Sequence, residues 1–313
     1  MHEIHPSRTA LRVALRRAAH QMHDARPLVF EDPLAVRILG SEHLQELLRT
    51  PAGRRRPFSA ALRAWIVVRA RLAEDTLQAG VRELNARQYL VLGAGLDTFA
   101  CRNPYPAVRV FEVDHPATQA WKLQMLEAAG LAPLPSARFV AVDFERDSLR
   151  ERLLAAGFDE RAPTVTAWLG VAPYLTRGAF HATLRVLSGF AAGSRAVFDY
   201  SQPRSALPWV EQQMQDSLGA RVAAAGEPFR LFFTPLELAR ELESFSLAVE
   251  EDLDAAALGE LFLAGRSDAL ELKGRAGRIC VAATLGCADG RPEGVKSAAG
   301  ETSIAKVGDG HRA

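Results

Sequence analysis

Two glycines follow a short apolar segment in the first third of the chain. The segment is Tyr89-Leu-Val-Leu, and Gly93 and Gly95 come directly after it. Glycines at the carboxyl end of a strand let the backbone approach a ligand closely. The third glycine of a dinucleotide-binding fingerprint is missing, because Thr98 stands in its place, and this disfavours a pyrophosphate ligand. A tight turn without any ligand is the structural alternative.

Two carboxylates follow the next two apolar segments. Asp114 comes about twenty residues after the glycines, where a cofactor ribose would present its two hydroxyls. Asp143 is followed by Phe144, so a carboxylate and an aromatic ring are available to hold a purine base. A salt bridge or a helix cap would explain Asp114 without a ligand, and a helix cap would explain Asp143.

The candidates for ion-pair and acid–base chemistry are weaker. Arg69 and Arg71 lie in a predicted helix before the glycines, where one of them could bind a ligand carboxylate through two parallel hydrogen bonds. Tyr174 follows the fourth apolar segment, and Tyr174 and His181 are the two weak candidates for a catalytic base. A solvated helix arginine and a packing tyrosine are the ordinary structural alternatives for Arg69 and Tyr174.

Seven short apolar segments are predicted to form the sheet that positions these residues. They alternate with helical segments, which is the signature of parallel β-α-β units and an α/β fold. The predicted strands cover residues 88–92, 108–113, 138–142, 165–169, 196–200, 247–250 and 278–285. The glycines, both carboxylates and Tyr174 are therefore expected at one edge of the sheet, where such folds bind ligands.

Helices are predicted before and between the strands. They cover residues 7–23, 32–40, 59–80, 116–129, 148–155, 177–190 and 235–243, and residues 50–57 are expected to form a loop. The last helix begins with the capping-box spacing of Thr234 and Glu237. We divide the chain into an N-terminal helical cap region (1–80), an α/β domain (81–286) with a lid insertion at about 201–233, and a tail (287–313) expected to be disordered.

Composition argues against several classes of partner. The formal net charge is +1, so nothing favours a nucleic acid or an anionic membrane. The cysteines, Cys101, Cys280 and Cys287, have neither metal-ligand nor disulfide-framework spacing, so we expect reduced thiols and no metal site. Since there is no signal-peptide pattern and no apolar run of about 18 residues, we expect a cytoplasmic protein.

Five segments taken together resemble the leucine carboxyl methyltransferase-like family of S-adenosylmethionine enzymes, and more closely its actinobacterial branch. They are Ser7-Arg-Thr-Ala, Glu31-Asp-Pro-Leu-Ala, Val68-Arg-Ala-Arg, Leu92-Gly-Ala-Gly-Leu-Asp-Thr and Phe111-Glu-Val-Asp-His-Pro-Ala-Thr. The resemblance spans about residues 7–285. The last two segments in this order are far more specific than a glycine motif alone.

The resemblance implies a class I methyltransferase (Rossmann-like) fold, a seven-stranded sheet whose last strand is antiparallel, with S-adenosyl-L-methionine as the cofactor. Arg69 would bind the methionine carboxylate, Asp114 the ribose hydroxyls, and Asp143 with Phe144 the adenine, while the glycine turn would line the methionine and ribose. The implied cofactor-binding residues are Arg69, Gly93, Ala94, Gly95, Asp114, Asp143 and Phe144.

The predicted function is in-line methyl transfer to the oxygen of a carboxylate or phenolic hydroxyl on a small molecule. A carboxylate is already ionised at neutral pH, which fits the lack of an obvious histidine–aspartate pair. One departure from the family pattern is Leu169, which stands where many relatives carry an acidic residue and cannot bind an ammonium group through a carboxylate. The alternatives are a non-catalytic S-adenosylmethionine-binding module and an NAD-dependent oxidoreductase.

Overall fold

Three helices precede the first strand in this computed structural model, which describes residues 7–49, 57–224, 226, 228–268 and 270–285. They are α1 (Arg8–His23), α2 (Gly40–Arg49) and α3 (Pro57–Glu83). The side chain of Ser7 accepts a hydrogen bond from the backbone N–H of Ala10 and caps α1, as its residue type favours. Because α1 packs against α3, the N-terminal region is attached to the rest of the chain through the longest of these helices.

A seven-stranded sheet forms the centre of the molecule within these ranges. Its strands are β1 (Gln88–Leu92), β2 (Arg109–Asp114), β3 (Ala137–Ala141), β4 (Thr164–Trp168), β5 (Arg195–Ser201), β6 (Leu247–Leu253) and β7 (Gly277–Thr284). The strand order is β3-β2-β1-β4-β5-β7-β6. The strands from β3 to β5 pair in parallel, whereas β7 pairs antiparallel with β5 and β6. The predicted class I methyltransferase sheet is thereby confirmed.

Helices cover both faces of this sheet. They are α4 (Phe99–Arg102), α5 (Pro116–Ala128), α6 (Leu149–Ala155), α7 (Arg177–Ser188), α8 (Trp209–Ala224), α9 (Pro235–Glu243) and α10 (Ala255–Phe262). On one face the fully buried Trp168 stacks on Phe180 of α7, with ring centroids 5.3 Å apart. On the other face Val67 and Leu77 of α3 are buried against the sheet. The sheet is thus held between two apolar layers, and its strand ends are fixed relative to one another.

The predicted strands agree with the structure to within three residues at every end. The helix predicted over 59–80 is longer, at Pro57–Glu83, and the capping box of Thr234 and Glu237 is present. Two short helices, α4 and α10, were not predicted. The side chain of Asp254 caps α10 by accepting from the N–H groups of Ala256 and Ala257, a signal that the sequence contains.

One predicted helix is wrong. Residues 33–39 form consecutive turns, and the helix α2 begins at Gly40, where the predicted helix was expected to end. The side chain of Asp32 accepts a hydrogen bond from the N–H of Leu34, as a cap would, but it also binds Thr98 and Arg17 from other parts of the chain. Tertiary contacts therefore outweigh the local capping signal.

Several predictions concern residues outside the described ranges. All of the predicted loop at 50–57 except residue 57 lies outside the described ranges. The whole predicted tail at 287–313, with Cys287, lies outside them as well. In the predicted lid, the described part contains a short turn of 3-10 helix (Arg204–Ala206) and α8. None of the helices in the described ranges is long and apolar enough to cross a membrane.

Candidate functional site

A cavity of about 520 Å³ opens at the carboxyl edge of the parallel strands. It lies where the strand order reverses between β1 and β4, the position at which open α/β sheets bind ligands. The cavity walls include all of the predicted cofactor-binding residues, which come from α3 and from the ends of β1, β2 and β3. These are Arg69, Gly93, Ala94, Gly95, Asp114, Asp143 and Phe144. Residues far apart in the sequence are thus brought to one site.

The glycine turn after β1 is tightly packed. The N–H groups of Gly93 and Ala94 both donate to the carbonyl oxygen of Val113, at 2.8 and 3.1 Å. Gly93 has a φ of 70°, and a Cβ there would lie 2.2 Å from Cγ2 of Val171. At Gly95, with a φ of 51°, an added Cβ would lie 3.1 Å from Cβ of Ala10 in α1. Both positions favour glycine for backbone and steric reasons, and α1 closely covers this turn.

Asp114 faces the glycine turn at the end of β2. Its Oδ2 accepts from the N–H of Gly95 at 2.5 Å, and its Oδ1 accepts from the N–H of His115 at 2.7 Å. Burial raises the pKa of Asp114, and the two N–H groups oppose this shift. Since an ionised carboxylate has about four acceptor positions, Asp114 can accept further hydrogen bonds. The N-terminus of α5 is capped by the side chain of His115 and not by Asp114, so a helix cap does not explain Asp114.

Asp143 and Phe144 form the far end of the cavity, beyond β3. Oδ1 of Asp143 accepts from the N–H of Glu145 at 3.0 Å, while its own backbone N–H donates to Asp147. The following helix, α6, is capped by Ser148. Phe144 is half-buried and packs against the apolar core. A helix cap therefore does not explain Asp143.

Arg69 is bound by a carboxylate that sequence reasoning missed. Its Nη1 donates to Oδ2 of the buried Asp199 in β5 at 2.7 Å, and Oδ1 of Asp199 accepts from the N–H of Gly170. An added Cβ at Gly170 would lie 2.8 Å from Nη2 of Arg69. The bond to Asp199 uses one of the five N–H donors of a guanidinium, so Arg69 retains donors for a ligand. The signal was an acidic residue within the apolar segment 196–200.

A buried ionic network under the glycine turn also escaped sequence reasoning. Arg17 of α1 pairs with Asp97, at 2.5 Å, and with Asp32, at 2.8 Å. Arg102 binds Glu74 of α3 and lies 3.5 Å from Asp32. Burial would lower the pKa of Arg17, but Asp97 and Asp32 outweigh it and raise this pKa. The network joins α1, the turns at 33–39, the glycine turn and α3.

Leu169, Tyr174 and His181 have different positions relative to the cavity. Leu169 lines it and packs against the apolar core. Tyr174 lines it from a turn of 3-10 helix (Ala172–Tyr174), with its ring centroid 5.1 Å from that of Phe229. His181 of α7 is instead paired with Glu241, and it is not among the residues of the cavity wall. The structure therefore brings Tyr174, and not His181, to the cavity that the predicted cofactor-binding residues line.

Comparisons with known proteins agree with this geometry. The family described as leucine carboxyl methyltransferase matches residues 10–188. YktD of Bacillus subtilis (strain 168), named as a candidate S-adenosyl-L-methionine-dependent methyltransferase, is 31% identical over 287 residues, which cover 84% of this chain and 93% of YktD. A protein of Mycobacteroides abscessus with the same functional name is 36% identical over 190 residues, 60% of this chain and 62% of its own length.

Two solved structures share the fold. One is a DUF574 family protein from Streptomyces avermitilis MA-4680, with a TM-score of 0.52 and 18% identity, covering 86% of this chain and 100% of that chain. The other is a candidate methyltransferase from Thermobifida fusca YX, with a TM-score of 0.52 and 18% identity, covering 79% of this chain and 92% of that chain.

The family match is consistent with the five sequence segments, the strand order and the position of the cavity. It confirms the predicted family and the predicted enzyme class, and it sets aside the NAD-dependent oxidoreductase. The chain belongs to the leucine carboxyl methyltransferase family, and it is a methyltransferase of the S-adenosyl-L-methionine-dependent class.

Proposed function

We propose that this enzyme transfers the methyl group of S-adenosyl-L-methionine to an oxygen atom of a small acidic or phenolic molecule. The observation that carries the proposal is the extent of the cavity. Its wall continues from the predicted cofactor residues, past Leu169 and Gly170, to Tyr174 and Arg230. The cavity therefore offers space for a second molecule beside a bound cofactor.

The residues present fit the shape and charge of the cofactor. Neighbouring strands are about 4.8 Å apart, so the four strand ends from β4 to β3 span roughly 14 Å, which suits an extended ligand. Arg69 near β4 would bind the methionine carboxylate, and the N–H of Gly95 with the Asp114 carboxylate would face the ribose. Asp143 and Phe144 at β3 would hold the adenine, the carboxylate accepting from an amino group and the ring covering the base.

Asp199 has a positioning role in this arrangement. Its carboxylate accepts hydrogen bonds from the guanidinium of Arg69 and from the backbone N–H of Gly170. The guanidinium is therefore oriented before any ligand binds, so little side-chain entropy is lost on binding. Asp199 is not part of the cavity wall, and its carboxylate does not take the place of the acidic residue that Leu169 replaces.

Catalysis would rest mainly on alignment. When bound, S-adenosyl-L-methionine would supply a methyl group attached to a sulfonium. The acceptor oxygen would attack the methyl carbon in line with the sulfur, and S-adenosyl-L-homocysteine would be the leaving group. The chain would hold both reactants at the edge of the sheet and exclude water, since apolar side chains such as Leu169 and Val171 line the cavity. A carboxylate acceptor requires no base at neutral pH. For a phenolic acceptor, Tyr174 is the remaining candidate base from the sequence prediction.

Calorimetric titration tests the cofactor site. We expect wild-type protein to bind S-adenosyl-L-methionine and S-adenosyl-L-homocysteine, and not NADH. Asp114→Ala should weaken both interactions about tenfold or more, because a buried charged hydrogen-bond acceptor is lost. Asp216→Ala is the control, since Asp216 is exposed and pairs with Arg204 on the lid. Equal affinity of all three proteins would contradict the assignment of Asp114.

The acceptor is tested by product formation. We would incubate the enzyme with S-adenosyl-L-methionine and a panel of carboxylic acids and phenols, and identify methyl esters and methyl ethers by mass spectrometry. Formation of either product would support O-methylation. Tight cofactor binding with no methylated product across the panel would contradict it and favour a non-catalytic binding module.

A further inference from the structure

Among the residues that the structure describes, three arginines line the cavity, and one of them differs from the others. Arg17 pairs with Asp32 and Asp97, and Arg69 pairs with Asp199. Arg230 has no ion-pair or hydrogen-bond partner for its side chain anywhere in the part of the chain that the structure describes. Its positive charge is therefore the only arginine charge in the wall that no described carboxylate neutralises.

The carboxylates of the cavity wall are, in contrast, already bound. Each accepts hydrogen bonds from the protein, either from an arginine, from a threonine or from backbone N–H groups. They are Glu74, Asp97, Asp114, Asp143 and Glu145. Arg230 thus differs from these charged groups in that its whole side chain is available to a ligand.

The backbone at Arg230 is fixed although its side chain is exposed. The N–H groups of Arg230 and Leu231 both donate to the carbonyl oxygen of Pro173, at 2.7 and 3.2 Å. Leu231 is buried, and the ring of Phe229 packs on that of Tyr174. The guanidinium therefore extends from a defined point beside the turn that carries Tyr174. Both Tyr174 and Arg230 line the cavity, in the part of the wall to which the proposed function assigns the acceptor.

We propose that Arg230 binds a carboxylate group of the methyl acceptor and thereby selects acids over their neutral analogues. The inference rests on the proposed function, because it assigns the Tyr174 end of the cavity to the acceptor. A guanidinium recognises a carboxylate through two parallel hydrogen bonds. A singly charged group suits the site better than a phosphate dianion, since the described part of the cavity wall contains more carboxylates than arginines and therefore repels added negative charge.

Binding of matched probes to the protein saturated with S-adenosyl-L-homocysteine tests this assignment. The probes are para-hydroxybenzoate with para-hydroxybenzamide, hexanoate with hexanamide, and para-hydroxyphenyl phosphate. We expect wild-type protein to bind at least one acid about tenfold more tightly than its amide and to bind the phosphate less tightly than the benzoate. Arg230→Gln should abolish the preference for the acid, and Arg230→Lys should keep part of it, because lysine retains the charge without the planar fork.

Arg240→Gln is the matched control. Arg240 is an exposed arginine of α9 that does not line the cavity, so the same change of charge should leave the preference unchanged. Affinity for S-adenosyl-L-homocysteine should be equal in all variants, which shows that they are folded.

Equal binding of acids and amides, no binding of either, tighter binding of the phosphate, or a preference that survives in Arg230→Gln would each overturn the role of Arg230. These outcomes leave the cofactor assignment intact. Failure of every variant to bind S-adenosyl-L-homocysteine would instead overturn the proposed function, and the role of Arg230 with it.

Discussion

Two regions of the cavity wall are built differently. At the glycine turn, α1 lies against Gly95, and the buried pairs of Arg17 and Arg102 lie below. In a second region, the wall is the 3-10 turn that follows Val171 and the segment around Arg230, whose side chain is exposed. We call the first region the covered end and the second the open end.

This difference separates two tasks. A cofactor that is the same in every turnover suits a rigid, pre-organised site, because little entropy is then lost on binding. An acceptor must enter and leave as a different molecule, and loops on a rigid scaffold commonly carry such specificity. We therefore expect substitutions at the covered end to affect stability and cofactor binding, and those at the open end to affect mainly the acceptor.

The largest effect is expected when the ionic network at the covered end is broken. Arg17→Met would remove the ion-pair partner of the fully buried Asp32 and of the partly buried Asp97, and breaking a buried ion pair in this way costs about 3–5 kcal/mol of unfolding free energy. Urea denaturation followed by circular dichroism would measure the loss. Affinity for S-adenosyl-L-methionine should fall as well, since Asp97 follows the glycine turn directly.

A matched substitution shows whether burial is the reason. Arg71→Met removes an arginine that pairs with Asp75 on the exposed side of α3, and surface pairs of this type contribute about 0.5 kcal/mol. Similar losses for Arg71→Met and Arg17→Met would contradict the description of the covered end as an energetically coupled region.

A smaller effect is expected from a methyl group at the glycine turn. Gly93→Ala should lower the free energy of unfolding by about 2–3 kcal/mol, because the left-handed backbone costs roughly 1–2 kcal/mol and the new Cβ would overlap Val171. Gly226→Ala at the open end is the comparison. Gly226 has a φ of 85° and no atom within 4 Å of an added Cβ, so only the backbone cost applies.

A double-mutant cycle separates the two contributions at Gly93. Val171→Ala should offset part of the loss in Gly93→Ala, since it removes the atom that the new methyl group would meet. Chemical denaturation of the four proteins of the cycle gives the coupling energy. Strict additivity would show that steric contact with Val171 does not limit this turn.

Sequence patterns were sufficient for the sheet and for much of the cavity wall. The seven strands are short apolar segments separated by helices, and the parallel arrangement brings their carboxyl ends together, so Gly93, Asp114 and Asp143 had to converge. These residues were recognisable because each stands directly after a strand. The strand bounds were less certain because the terminal residues carry no distinct signal.

The pairing partners were beyond such patterns. The sequence predicts that Asp32 caps a helix, but its side chain also binds Arg17 and Thr98 from distant segments. Asp199 is one residue in an apolar strand, and its partner Arg69 lies 130 positions away. Long-range pairs of this kind depend on which helix faces the sheet, and neither periodicity nor spacing specifies that. His181 shows the converse, since its residue type suggested catalysis while its position gives it Glu241 as a partner.

The smallest expected effect is a pH dependence that also distinguishes the two carboxylates of the covered end. Burial alone would raise the pKa of Asp97, but Arg17 and Arg102 lower it below its ordinary value. Its contribution to stability is therefore fully present above the ordinary aspartate range and is lost only when the pH falls below that range.

The pKa of Asp114 is raised by burial, so Asp114 takes up a proton first as the pH falls. Protonation removes an acceptor for the ribose hydroxyls. We therefore expect affinity for S-adenosyl-L-homocysteine to fall by up to about tenfold per pH unit as the pH falls through the raised pKa of Asp114, while circular dichroism shows a folded protein. Calorimetric titrations at decreasing pH would measure this loss, and Asp114→Asn, which cannot titrate, should lower affinity throughout and flatten the profile. If the variant kept the same pH dependence as wild type, the titrating group would not be Asp114, and the covered end would owe its cofactor affinity to other residues.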